Sequence, residues 1–185
     1  MYFNNKRKCV LIFVWILACS LLSIAFLAPV QALEGTEDEV KGAMLVQFIR
    51  FVKWPDSVPS GPNGTIVIGI MDENGLMAVL NVIEGRIIRD RKIHLKRPKS
   101  VQEALECHVL YMSSSQYRES TEILRAVSDQ PILTIGEDPN FIQAGGVVRF
   151  YREKQRIRFE INPEAASRAN LKISAKLLEI ARLVE

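Results

Sequence analysis

The sequence predicts an α/β domain: a single mixed β-sheet flanked by helices on both faces, with a late β-hairpin and a C-terminal helix. Three observations carry this. Ile66 to Ile70, Val109 to Met112 and Pro131 to Ile135 are near-continuous apolar runs, which suit central strands covered on both faces. Amphipathic segments alternate with them. Finally, Val147 to Tyr151 and Arg156 to Ile161 flank a polar turn, Arg152-Glu153-Lys154-Gln155, as the arms of a hairpin do.

In chain order, Lys6-Arg7-Lys8 is a basic n-region, followed by an apolar run from Cys9 to Ala28 and then Pro29-Val30-Gln31-Ala32. Val30 and Ala32 stand at −3 and −1 of a signal-peptidase site, so 1–32 is expected to be an export signal cleaved before Leu33. The same run is long enough to cross a bilayer as an uncleaved anchor. Either way the domain, 33–185, lies outside the cytoplasm.

Glu34 to Asp38 reads as a frayed start, and Glu39 to Trp54 as a helix stopped by Pro55. Val40, Ala43, Met44, Phe48, Phe51 and Val52 recur at three and four, and Leu45, Val46 and Ile49 widen the apolar arc. An arc wider than one sheet face covers is either buried among neighbouring helices or meets a second copy. The expectation is a homodimer through Val46 and Ile49. Ser57 to Gly64 is a loop, Thr65 to Met71 a strand, and Leu76 to Glu84 a helix closed by Gly85. Arg86 to Leu95 is extended. Cys107 to Met112 is a buried strand, and a helix from about Gln116 to Ser128 follows Ser113-Ser114-Ser115. Pro131 to Ile135 is a short strand, and Gly145-Gly146 a tight turn before the hairpin. Asn162 caps a helix with Pro163 at its first position, ending at Asn170, a residue tolerant of left-handed backbone. Lys172 lies in a short extended link, and Ser174 caps a last helix in which Leu177, Leu178, Ala181 and Val184 face the core.

The chain has 185 residues, 24 Lys and Arg against 21 Asp and Glu, and 48% apolar residues, enough for one domain with its own core. Lys6, Arg7 and Lys8 account for the whole basic surplus, so the exported part is neutral and a nucleic-acid partner is not expected. His94 and His108 are the only histidines and have no ligand-like spacing, so neither a metal site nor a catalytic base is predicted. Ser113 to Ser115 could hold an anion at a helix start, but an ordinary cap explains them. No phosphate loop or other cofactor motif occurs, and the sequence does not read as an enzyme. Cys9 and Cys19 leave with the signal. Cys107 is then a lone thiol, read as a buried small hydrophobe or, alternatively, as half of an interchain disulfide.

Several segments together resemble the YfiR-like family of exported regulators, which includes HmsC-type proteins. They are Lys41-Gly42-Ala43-Met44 through Phe51-Val52-Lys53-Trp54-Pro55, Ile68-Gly69-Ile70, Cys107 through Ser113, Ile132 through Gly136, Gly145 through Phe150, Arg158 through Asn162, and Leu171 through Leu178. The resemblance implies a periplasmic protein that binds the sensor region of an inner-membrane diguanylate cyclase and represses it, lowering cyclic-di-GMP and biofilm formation. It implies an outer-membrane lipoprotein as a second partner that sequesters the repressor. Some members carry paired cysteines that make folding redox-sensitive, and this mature chain, with Cys107 alone, does not share that feature. A periplasmic small-molecule-binding sensor is the alternative. The partner or ligand surface is expected around the hairpin and the turn before the last helix: Arg158, Glu160, Asn162, Lys172 and Ser174. Strand alternation places Arg156, Arg158 and Glu160 on one face, opposite Ile157, Phe159 and Ile161.

Overall fold

A computed structural model describes residues 35–58, 64–71, 75–114 and 117–184. The expected export signal, 1–32, lies outside them, as do Ser115 and most of the Pro-Gly loop, 59–63.

The first helix, α1 (Glu37–Phe51), begins two residues earlier than its apolar periodicity suggested. Thr36 is its N-cap: the Thr36 Oγ1 accepts from the Glu39 N–H at 3.3 Å, and the Glu39 carboxylate accepts from the Thr36 N–H at 2.6 Å. This reciprocal capping box satisfies two donors that a frayed start would leave to water. The helix also stops short of Trp54. Val52–Lys53 turns extended as β1 and pairs antiparallel with β9 (Lys172–Ile173), while Ser174 N–H donates to Phe51 O at 2.9 Å.

The remaining elements are β2 (Thr65–Met71), α2 (Leu76–Leu80) with a 3₁₀ turn at Asn81–Ile83, β3 (Ile87–Ile88), β4 (Arg91–Lys96), α3 (Val101–Ala104), β5 (Val109–Met112), α4 (Tyr117–Val127) and β6 (Leu133–Gly136). Then come β7 (Val148–Glu153), β8 (Arg156–Ile161), α5 (Pro163–Arg168), α6 (Ala175–Leu178) and β10 (Arg182–Leu183). Eight strands form one mixed sheet in the order β10-β8-β7-β6-β5-β2-β4-β3. Its centre, β4, β2, β5 and β6, is parallel, and β7 joins parallel to β6. Antiparallel partners, β3 on β4 and β8 on β7, follow at the sides. Both edge strands, β3 and β10, are two residues long.

Alternation along the central strands feeds two cores. Ile66, Ile68, Ile70, Val109, Tyr111, Leu133 and Ile135 face α1, α2, α5 and α6. Leu110, Met112 and Ile132 face α3 and α4, which contribute Ala104, Ile123, Leu124 and Val127. Phe141 closes this second core between Gly136 and Gly146. A Cβ on either glycine would lie 2.2 or 2.1 Å from the Phe141 ring, so no larger residue fits. On the first face, Phe48 of α1 packs against Phe150 and Phe159, with ring centroids 5.7 and 5.0 Å apart, tying the helix to the hairpin.

Three expectations need correction. Leu45 and Ile49 are at most 1% exposed, and Val46 packs against the same core. The wide arc of α1 is covered by the sheet, α2 and α6 of its own chain, so Ile49 cannot present itself to a second copy. Arg86 to Leu95 is a hairpin, not one extended segment. The last helix is short, and the chain returns to the sheet as β10 beside β8. Cys107 is 4% exposed within the second core, as its reading as a buried small hydrophobe expects, and its burial disfavours the alternative of an interchain disulfide.

Candidate functional site

The helices α3 and α4 cover β2, β5 and β6 but do not extend over the late hairpin. Beyond β6, that sheet face carries polar side chains where the second core would otherwise continue. Arg149 and Tyr151 of β7 pair in register with Glu160 and Arg158 of β8, and Arg182 of β10 pairs with Glu160. The Arg149 Nε donates to Glu160 Oε1 at 2.7 Å, and Arg182 Nε lies 4.0 Å from Glu160 Oε2. These two guanidinium groups also lie over the Tyr151 ring, 5.6 and 5.9 Å from its centroid. Glu160 is therefore a buried tether at 4% exposure, fixing two arginines and, through them, a tyrosine. Arg158 is exposed and lies 3.7 Å from Glu153.

The other expected residues divide differently. Asn162 is buried and occupied: its Oδ1 accepts from the Ala165 N–H at 2.9 Å as the cap of α5. Lys172 is exposed on β9, opposite Lys53 of β1. Ser174 occupies the N-cap position of α6 without making the cap bond, and its Oγ is buried with no partner. Arg158 and Glu160 thus share one face, whereas Lys172 and Ser174 belong to the small β1–β9 ladder.

That ladder borders a feature missed in the sequence. A cavity of about 270 Å³ is walled by Lys53, Trp54, Asp56, Arg89, Asp90 and Arg91 over an apolar floor. Arg89 and Asp90 form the two-residue β3–β4 turn, with φ of 50° and 63°. Both are in the left-handed region, where Asn and Gly are usual. The Arg89 Nη1 donates to Arg50 O at 2.5 Å, and the Trp54 Nε1 to His108 O at 3.2 Å. The Arg91 Nη1 is buried with no hydrogen-bond acceptor. Such an orphan donor is costly unless water or a ligand supplies an acceptor. The turn was illegible because neither residue carries the usual signal.

Among the described residues, no cluster of His, Cys, Asp or Glu could hold a metal, and no helix is long and apolar enough to cross a membrane. Burial pushes the Cys107 thiol up to about 11, which leaves it protonated at neutral pH.

The sequence profile of the YfiR/HmsC-like family matches residues 38–182, nearly the whole described domain. The chain belongs to the YfiR/HmsC-like family. Proteins of this family are periplasmic regulators in diguanylate cyclase signalling rather than enzymes. The fold is similar to the crystal structure of a conserved domain protein from Vibrio cholerae O1 biovar El Tor, with a TM-score of 0.52 at 10% identity. The match covers 81% of this chain and 60% of the Vibrio protein, so this chain spans less than two thirds of that neighbour's length. At that identity the likeness concerns the α/β fold alone.

Proposed function

We propose that this protein is exported to the periplasm, where it binds the sensor region of an inner-membrane diguanylate cyclase and holds its activity down. An outer-membrane lipoprotein competes for it. Family membership supports the signalling context. The observation that carries the binding reading is the uncovered face of β7, β8 and β10, where Arg149 and Arg182 gather around Glu160 and the Tyr151 ring, and the exposed Arg158 lies beside Glu153. An array of fixed guanidinium groups beside an aromatic ring suits a partner surface with carboxylates. Of the residues expected from the sequence, Arg158 and Lys172 contact the partner. Glu160 and Asn162 position the face and its adjoining helix, and Ser174 lies behind Lys172. The mature chain starts at Leu33, which amino-terminal sequencing of the exported product decides.

The test is a pair of charge reversals at exposed positions, Arg158→Glu and Lys172→Glu. Both variants fold, since exposed charges contribute little to stability. Arg158→Glu raises cellular cyclic-di-GMP and loses co-purification with the cyclase, and Lys172→Glu weakens both effects. Full repression by both folded variants would exclude this surface.

A second reading, a periplasmic small-molecule sensor, is favoured by the cavity with the orphan Arg91 donor. A small anion retained by the purified protein in native mass spectrometry, and absent from Arg91→Ala, supports it.

A further inference from the structure

A second polar pocket lies at the other end of α1, away from the Arg91 cavity and against the hairpin, whose Tyr151 also lines it. Lys41 sits in the second turn of α1 with its side chain only 7% exposed. Its ammonium lies 2.7 Å from Glu37 Oε1 and 2.5 Å from Glu137 Oε1. Glu137 follows β6 directly. Its Oε1 also accepts from the Tyr111 hydroxyl of β5, and the second oxygen of Glu37 pairs with Arg152 of β7. Glu37, Lys41, Glu137, Arg152, Tyr151 and Ser114 border a crevice of about 180 Å³, with Phe150 and Ile157 as its apolar wall. It opens just beyond the carboxyl ends of the parallel strands β5 and β6. Open α/β sheets bind ligands in that position.

Burying an ammonium among carboxylates is not a way to gain stability. An apolar trio of similar volume would hold α1 on the sheet as well or better, because desolvation offsets most of the attraction. A buried ammonium cross-linked to titratable groups that line a crevice instead marks a candidate site.

The pairing determines which ligand the crevice can take. Glu37 is committed on both oxygens, to Lys41 and to Arg152, and Lys41 balances Glu137. The lining is neutral as a whole. An anion entering it meets Glu37 and Glu137, and a cation meets Lys41 and Arg152. What stays open is hydrogen-bonding capacity: the second oxygen of Glu137, the third proton of Lys41, the outer N–H groups of the exposed Arg152 and the hydroxyl of Ser114. These are donors and acceptors in alternation beside an apolar wall. Neutral hydroxyl groups, which donate and accept at once, use them without disturbing a single ion pair. The volume holds about six waters at roughly 30 Å³ each, the space of a small sugar or polyol.

We propose that this crevice binds a small neutral polyhydroxyl compound of monosaccharide size. The inference does not depend on the cyclase reading and tests apart from it. The experiment is saturation-transfer NMR on the exported protein with D-glucose, D-galactose and glycerol as probes, and with alanine and acetate as charged comparators. At least one neutral probe is expected to bind at millimolar concentration, with alanine and acetate silent. Arg152→Ala, at an exposed position, and Glu137→Gln, which keeps one acceptor for Lys41 and Tyr111, should each weaken binding about tenfold. Circular dichroism establishes that each variant is folded, and if Glu137→Gln is not, Arg152→Ala decides alone. Three results overturn the proposal: silence from all three neutral probes, equal or stronger signals from alanine or acetate, or sugar binding unchanged in the folded variants. Binding lost in Arg91→Ala but kept in Arg152→Ala overturns it too, by moving the ligand to the other cavity.

Discussion

At the scale of single residues, burial decides which side chains react and which only hold. Cys107 is packed against α3 and α4, and its thiol is raised to about 11. The folded protein should therefore resist alkylation by iodoacetamide at pH 8, and reaction should follow unfolding in denaturant. Labelling as fast as that of a free thiol would contradict the packing described. The Lys41 cluster sets a window in pH. Hydrogen bonding from Lys41 holds Glu37 below its ordinary 4.5, against a smaller opposing effect of burial. Its contribution is present above that value and is lost as pH falls through the lower, folded-state value. Burial pushes the Lys41 ammonium down, but Glu137 and Glu37 together outweigh this and hold it above its ordinary 10.5. That contribution is complete below 10.5 and is lost as pH rises through the higher, folded-state value. Stability measured by chemical denaturation should thus fall below about pH 4.5 and above pH 10.5. In Lys41→Met the alkaline loss due to this residue should vanish, and an unchanged alkaline limb would remove it from the account.

At the scale of elements, α5 tests how far a cap holds a neighbouring face. Asn162 closes the first turn of a helix only six residues long, directly after the strand that carries Glu160. Asn162→Ala should cost about 1 kcal/mol in urea denaturation. Wild-type stability in that variant would show the cap to be idle. The same region shows what the sequence made legible. The apolar runs of β2, β5 and β6 and the Asn162-Pro163 start of α5 are local signals and were read correctly. Alternation put Arg158 and Glu160 on one face, but their different fates depend on strands distant in the chain. Glu160 is buried because Arg149 and Arg182 close over it, and Arg158 is not. The β1–β9 ladder joins two-residue strands some 120 residues apart, too short for any periodicity to register. The wide arc of α1 was plain, but only tertiary packing could show that its own chain covers it. Nothing local in the sequence around Lys41 revealed that Glu137 would meet it.

At the scale of the whole molecule, charge is balanced in number but not in place. Residues 33–185 have no basic surplus, yet the hairpin face presents Arg149, Arg156, Arg158 and Arg182 with only Glu153 and Glu160 among them. If that face receives the cyclase, association should slow markedly as salt rises from about 0.05 to 0.5 M, while dissociation changes less. Rates from surface plasmon resonance that ignore salt would point to an apolar contact instead. The sheet itself bears on how the protein behaves when concentrated. It is eight strands wide, a size at which an exposed flank invites another chain to add on. Here each flank ends in a two-residue strand, β3 and β10, and so offers an incoming strand only one or two free backbone groups to grip. The protein can then be concentrated without its copies zipping edge to edge into fibres.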